Sequence, residues 1–461
     1  MHPSSKSAAW VFTLTLAVSI LIACAGQNVT PSSSAEKPLR HDSKRSAWAT
    51  YPLGYTAAFE ISAVRGPNNS VWLADYTQNV ITEISTTGQT ETYGAGNFVL
   101  PEPSQTPATP PADPEDVEAG PNNNIYYLAS YGYGIMTASG SPTLYALGCL
   151  HISCSPEFVA PTSSTIAVTP DGSAWTSGAS DPYGSAAYVV RAQGGNETLI
   201  PVSIGSRYAN PPKFLALGPD GNVWYTNYSA FIGRVNVNNN SVATYPIPSP
   251  YGSSGFPGAL TAGPDGNLWI SHCNTPYSVL YSTARGVVSG FGVPPQVGNL
   301  CVQGEHEIFA GPNQDIYFMN GGYFITRLNV KNRQFSAYNL VPTPKSGYGG
   351  VQTGTLGADG NIWVFMDTYP DVYVFTAKDI IKTSPVKVRL QENQSTTITV
   401  KEVGFSKNYL APTYNSCVVV TPSESSGAFT ITAGNARESC YISFTDEDKN
   451  DTVYVPVTVT R

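Results

Sequence analysis

The chain is short of charge, of histidine and of methionine. Lys, Arg, Asp and Glu make up only 12% of its 461 residues, and there are five His, four Met and seven Cys. A net charge of -8 with no basic cluster lacks the Lys/Arg footprint that phosphate backbones demand, which argues against nucleic acid as a partner. No G-x-S-x-G elbow, H-E-x-x-H pair or phosphate-cradling loop occurs. His2 and His41 lie in the N-terminal segment, so any Ser/His/Asp triad would have to draw on His151, His272 or His306. No long helix is expected either, because 42 Gly, 37 Pro and 28 Tyr describe a loop-rich, all-β chain.

What the chain does contain is a phrase, Gly218-Pro219-Asp220-Gly221-Asn222-Val223-Trp224-Tyr225-Thr226, followed by Ile232-Gly233-Arg234. Altered copies begin at Gly66, Gly120, Thr169, Gly218, Gly263, Gly311 and Gly357. Six positions after each start stands an aromatic residue: Trp72, Tyr126, Trp175, Trp224, Trp269, Tyr317 and Trp363. Pro219 presets a turn, Asp220 can bond its own backbone and Gly221 accepts positive φ, so each copy is a tight antiparallel hairpin. A lone hairpin is marginal in water, and copies recurring about every fifty residues read as seven propeller blades packed on one another. Ala49-Thr50-Tyr51-Pro52 repeats the outer strand Ala243-Thr244-Tyr245-Pro246 before the first blade begins, which predicts that the N-terminal strand completes the seventh blade. Pro101 to Pro114 is too rich in Pro for a strand and reads as a surface excursion, with a lid as the alternative.

The propeller is expected over residues 47–384 and a second, smaller domain over 385–461. In the latter, Val386 to Leu390, Thr396 to Val400, Cys417 to Val420, Phe429 to Thr432, Tyr441 to Phe444 and Val453 to Val459 alternate or run apolar between turns. This pattern is similar to that of bacterial immunoglobulin-like modules and predicts a β-sandwich. Asp446-Glu447-Asp448-Lys449-Asn450-Asp451 reads as an exposed hairpin turn, with calcium binding as the alternative.

At the other end, Lys6 precedes an apolar run from Ala8 to Ala23 that closes on Leu21-Ile22-Ala23-Cys24. Residues 1–24 have the shape of an export signal, and the last four resemble a lipobox, in which Cys24 becomes the lipidated first residue. Ordinary cleavage or a retained anchor are the alternatives. Residues 25–46 read as a disordered tether. The expected place is therefore the bacterial cell envelope, as a membrane-anchored lipoprotein or a secreted protein. Six further cysteines would pair there as Cys149–Cys154, Cys273–Cys301 and Cys417–Cys440, with no metal bound.

The G-P-D-G-x-[LV]-W-[FY]-T phrase with its I-G-R resembles the virginiamycin B lyase, or streptogramin lyase, family of seven-bladed β-propellers. The resemblance implies elimination at the ester of a cyclic depsipeptide, assisted by Mg2+ at a channel mouth. It also implies three places for the reacting groups: a His five residues before the turn glycine, a Glu two residues earlier, and a Glu closing the L-W-F-T-E phrase. Here the first is His306, a candidate catalytic residue, whereas the Glu places hold Gly304 and Asn320 and the blade-five His place holds Gly258. Elimination needs carboxylates for the ion and a base for the proton. The expectation is therefore a binding protein for a polar small molecule, peptide, glycan or surface protein, with no cofactor, and the lyase as its alternative. The ligand residues expected at the mouth are Asp75, Glu115, Lys213, Asn227, His272, His306, Asn320 and Gln352, with Glu115, Lys213 or His306 as acid and base under the lyase reading.

Overall fold

The computed structural model describes residues 48–57, 61–99, 109–147, 162–179, 186–202, 211–249, 251, 255–273, 278–283, 285–298, 300, 308–312, 315–319, 321–344, 349–377, 380–413, 415–435 and 437–461. The signal, the tether and Cys24 lie outside them, as do Cys149, Cys154 and Cys301.

One blade shows why the repeated phrase is a structural unit. In blade four the strands Phe214–Leu217, Val223–Thr226, Phe231–Val235 and Val242–Pro246 pair in sequence order. Trp224 lies across Gly218 so closely that a Cβ there would sit 2.2 Å from the indole Cδ1. The indole Nε1 donates to Asp220 Oδ1 at 2.9 Å, and Arg234 Nε donates to Asp220 Oδ2 at 2.6 Å. Tyr245 of the outer strand stacks on the same indole at 5.4 Å. Gly233 leaves room for Tyr225, whose Cζ would be 1.9 Å from an added Cβ. Turn acid, indole, arginine and outer tyrosine thus form one contact set, and the two glycines are the spaces it occupies. Blade three substitutes Thr169 for the leading glycine, and its hydroxyl accepts the Trp175 indole N–H at 3.0 Å. All seven marker aromatics are buried.

The blades close into a ring. Inner strands neighbour one another in chain order, and the inner strand of blade seven, Val351–Leu356, returns against that of blade one, Ile61–Arg65. Blade seven takes its outer strand from the N-terminal segment: Trp48–Pro52 pairs antiparallel with Asp371–Phe375, from Trp48↔Phe375 to Pro52↔Asp371. Tyr51 stacks on Trp363 at 5.7 Å, the counterpart of Tyr245 on Trp224. The sequence repetition therefore located this strand correctly. The end of the Pro-rich excursion is less irregular than its composition suggests, since Asn97 bridges Pro111 and Pro114–Ala119 is the inner strand of blade two.

The C-terminal region forms two sheets. One contains Lys382–Ser384, Ser395–Lys401, Ala428–Ala433 and Val418–Thr421, and the other is built on Ser439–Asp446 and Asp451–Thr460. Ile398, Val400, Phe429 and Ile431 of the first meet Ile442, Phe444, Val455 and Val457 of the second in one core. A disulfide from Cys417 to Cys440, with Cα atoms 6.2 Å apart, joins the two sheets. The sequence reading expects this sandwich as a second, smaller domain of its own. Instead, Asp451–Thr460 pairs antiparallel with Gln334–Asn339, the outer strand of blade six, so that blade and sandwich share a nine-stranded sheet. That outer strand is buried at Phe335, Ser336 and Tyr338, whereas its counterpart Thr90–Gly94 in blade one is almost wholly exposed.

The acidic run at 446–451 is a hairpin turn, but its end members are not exposed. Asp446 and Asp451 are 3% and 5% accessible, and the Asn450 N–H donates to Asp446 Oδ1 at 2.7 Å. Burial, with Glu402 and Asp446 nearby, holds the Asp451 carboxyl well above the usual carboxylate range, and burial raises Asp446 as well. Among the described residues no group of three or more His, Cys, Asp or Glu is arranged to hold a metal ion. An acid whose folded pKa exceeds its unfolded value keeps more protons when folded, so it favours the fold below about pH 4 and loses that contribution as pH rises through the raised value. Thermal stability of the parent should therefore fall more than that of Asp451→Asn between pH 4.5 and 7.5. Parallel pH profiles measured by calorimetry would contradict this.

Candidate functional site

Chain connectivity separates the two ends of the channel. The short G-P-D-G turns between first and second strands lie at one end, together with the turns between third and fourth strands. At the other lie the turns between second and third strands and the long connections that enter each inner strand. Loop variation is thus concentrated at this second end, where the expected site residues also fall. Register fixes their placement: Ile61 pairs with Asp75, Pro257 with His272 and Val351 with Met366.

The inner-strand positions carry a feature that counting along the sequence does not reveal. In blades two, five and seven the ladder shifts register between Pro114 and Asp116, Pro257 and Leu260, and Val351 and Thr353. Glu115, Gly258 and Gln352 fall in those irregularities, which re-aim a side chain away from the regular pleat. Glu115, Lys213 and Gln352 are half-buried. The Lys213 backbone is fixed from both sides, its N–H donating to Thr226 O and its carbonyl accepting from Ser164 N, each at 2.8 Å. Gln352 Oε1 is buried and has no hydrogen-bond partner among the described residues. Buried acceptors are rarely left so, because each lost partner costs about 1–3 kcal/mol.

The second-strand positions differ from expectation in exposure. Asp75, Asn227 and His272 are 0%, 0% and 1% accessible, because the second strand is covered by strands on both sides. They support the mouth from beneath. Asp75 Oδ1 accepts the Gln78 N–H at 3.0 Å and so braces its turn, and Asn227 accepts the Ser229 hydroxyl. The His272 imidazole bonds the Tyr251 backbone and meets the Tyr251 ring edge-on at 6.3 Å. Burial lowers its pKa, which favours the neutral ring. Cys273, beside it, is disulfide-bonded. His306, Asn320 and Gly304 lie outside the described residues, and so does the expected partner Cys301.

Asp116, one residue beyond Glu115, was missed by the sequence reading. It is fully buried, accepting Ser62 Oγ at 2.6 Å from blade one and the Ile166 N–H at 2.7 Å from blade three. One carboxylate thereby ties three blades just below the mouth. Further along, Ser177 Oγ reaches Pro212 O at 2.6 Å and Thr226 Oγ1 reaches Gly258 O at 2.7 Å, continuing the stitching from blade to blade. Replacing Asp116 by Leu orphans two donors at about 1–3 kcal/mol each. We expect a fall in thermal midpoint of several degrees; a change within 1 °C would show that water replaces the carboxylate without loss.

Fold and site together define a seven-bladed β-propeller with a polar, loop-built mouth and a sandwich fused to one blade. No protein-family model matches the chain, and no curated protein sequence matches it. Among solved structures the chain is similar to a streptogramin B lyase, with a TM-score of 0.54 and 19% identity over 71% of this chain and 96% of that one. It is similar also to virginiamycin B lyase from Staphylococcus aureus, with a TM-score of 0.52 and 20% identity over 71% and 98%. The extracellular domain of a hybrid two-component system from B. thetaiotaomicron aligns over 89% of this chain and 58% of its own, with a TM-score of 0.50 and 10% identity. The chain thus shares the propeller fold of the streptogramin lyases.

Proposed function

We propose that this is an exported, lipid-anchored binding protein that recognises a polar ligand or protein partner at the loop-rich mouth. The observation that carries this reading is the buried Gln352 Oε1, an acceptor without a partner among the described residues, set in a bulge beside the channel. Glu115 and Lys213 supply further acceptor and donor groups, and His306 and Asn320 join them from the sequence. Asp75, Asn227 and His272 hold the turns beneath. The Cys417–Cys440 disulfide agrees with an oxidising compartment.

Mature protein would be titrated calorimetrically with quinupristin, present in one solved virginiamycin B lyase structure, with short peptides and with oligosaccharides. Binding that Gln352→Leu and Lys213→Ala each weaken at least fivefold supports the reading; full indifference to both variants overturns it. The second reading, a lyase, follows from the shared fold and from His306. Mg2+-dependent ring opening of quinupristin, lost in His306→Ala, would establish it. Lipidation has its own check, since Cys24→Ala should release the protein from the membrane fraction.

A further inference from the structure

The turns at the two ends of the channel differ in one residue type. No turn between first and second strands, or between third and fourth, contains an aromatic residue. In sequence, every stretch between second and third strands contains a tyrosine: Tyr76, Tyr131, Tyr183, Tyr228, Tyr277, Tyr323 and Tyr369. Tyr183 and Tyr277 lie outside the described residues. The other five are all at least partly exposed. Among the described residues, Tyr228 at 37% and Tyr323 at 38% are the only aromatic members of the exposed large apolar side chains, and both stand at this mouth, on blades four and six. Tyr228 is held edge-on to Phe256 with centroids 4.8 Å apart, and Tyr131 edge-on to Phe98 at 5.9 Å. Tyr228 meets Phe214 edge-on as well, at 6.5 Å, and still keeps 37% of its surface exposed.

We propose that the described tyrosines of this collar, with Tyr228 and Tyr323 as its exposed members, read a neutral oligosaccharide, an inference that rests on the mouth being the binding site. Tyrosine offers a rigid amphipathic face at low entropic cost, and its hydroxyl adds a donor and acceptor at the rim. Such faces stack on the C–H-rich faces of pyranose rings, while Glu115 and the Gln352 amide take sugar hydroxyls. Among the described residues at this end, Asp113, Glu115, Asp367 and Asp371 outnumber the one cation, Lys213, which disfavours an anionic ligand. A peptide bound by strand addition needs a free sheet edge, whereas at this end the strands terminate.

The test is calorimetric titration of the purified full protein with cellohexaose, xylohexaose, mannohexaose and chitohexaose. At least one should bind, Tyr228→Ala and Tyr323→Ala should each weaken it about tenfold, and Tyr228→Phe should stay within about twofold. Failure of all four saccharides to bind, or binding indifferent to both alanine variants, overturns the proposal. If quinupristin or a peptide binds, depends on Gln352 and ignores the tyrosines, the mouth remains a binding site and the saccharide is wrong. If a saccharide binds with both tyrosines needed and Gln352 and Lys213 irrelevant, the collar stands and the part given to the Gln352 amide and Lys213 fails.

Discussion

A chain lacking residues 48–57 should not fold into a stable propeller. The segment supplies the outer strand of blade seven and buries Trp48, Leu53 and Ala57 at 7%, 2% and 0% accessibility. Trp48 packs on Phe375 at 4.9 Å and on Tyr373 at 6.1 Å, and Leu53 N donates to Pro370 O at 2.8 Å. Each large apolar side chain removed from such a site forfeits about 1.5–3 kcal/mol, and the total stability of a domain is only about 5–15 kcal/mol. The deletion also leaves Asp371–Phe375 as a free edge at the seam where the ring ends meet. We expect loss of the cooperative thermal transition, or a midpoint lower by more than 10 °C, in circular dichroism. Adding a peptide of residues 48–57 in excess should restore part of it. A truncated protein melting within 2 °C of the parent would mean that the remaining blades hold the circle without their closing strand.

The ring was legible because its signals are local. Gly218, Asp220, Trp224 and Arg234 sit within one hairpin and its neighbouring strand, so the six-residue spacing from turn start to aromatic survives in every copy, and even Thr169 can be understood as a substitute hydrogen-bond partner. The equivalence of Tyr51 and Tyr245 was visible for the same reason: each stacks on the tryptophan of its own blade. The site was less legible. Glu115 and Gln352 were found by counting, but the irregular ladder that surrounds them depends on pairing, which a position count does not report. Asp116 looks like any surface acid in Pro114-Glu115-Asp116, and only the approach of Ser62 and Ile166 from neighbouring blades makes it a clasp. His272 was expected at the mouth because its residue type suggests chemistry, yet its place in a covered second strand buries it. The tyrosine of the turns escaped notice because its offset varies from blade to blade, so it becomes a pattern only once the topology puts those turns on one face.

The sandwich was the least legible part, and its removal gives the second large effect. Gln334–Asn339 and Asp451–Thr460 lie far apart in sequence, and with Phe335, Ala337 and Tyr338 this outer strand is no more apolar than its counterpart Val242–Pro246, so nothing local announces their pairing. Residues Phe335↔Tyr454 through Tyr338↔Asp451 pair across the junction, Tyr454 is 5% accessible, and Gln334 Nε2 donates to Thr383 Oγ1 at 2.8 Å. Contact extends to blade five, where Tyr441 donates its hydroxyl to Gly292 O at 3.0 Å. A module tethered by a flexible spacer could be cut away without cost. Here, ending the chain at 384 should strip cover from Phe335 and Tyr338 and leave an apolar, unpaired strand edge, which favours aggregation. We expect low soluble yield and a midpoint depressed by 10 °C or more. The point variant Tyr454→Asp, which buries an unpaired carboxylate in the same seam, should lose about 2–4 kcal/mol by denaturant titration. A truncated propeller that stays monodisperse and melts with the parent would show that the shared sheet contributes nothing to the ring, and that the sandwich rests on blade six only as an appendage.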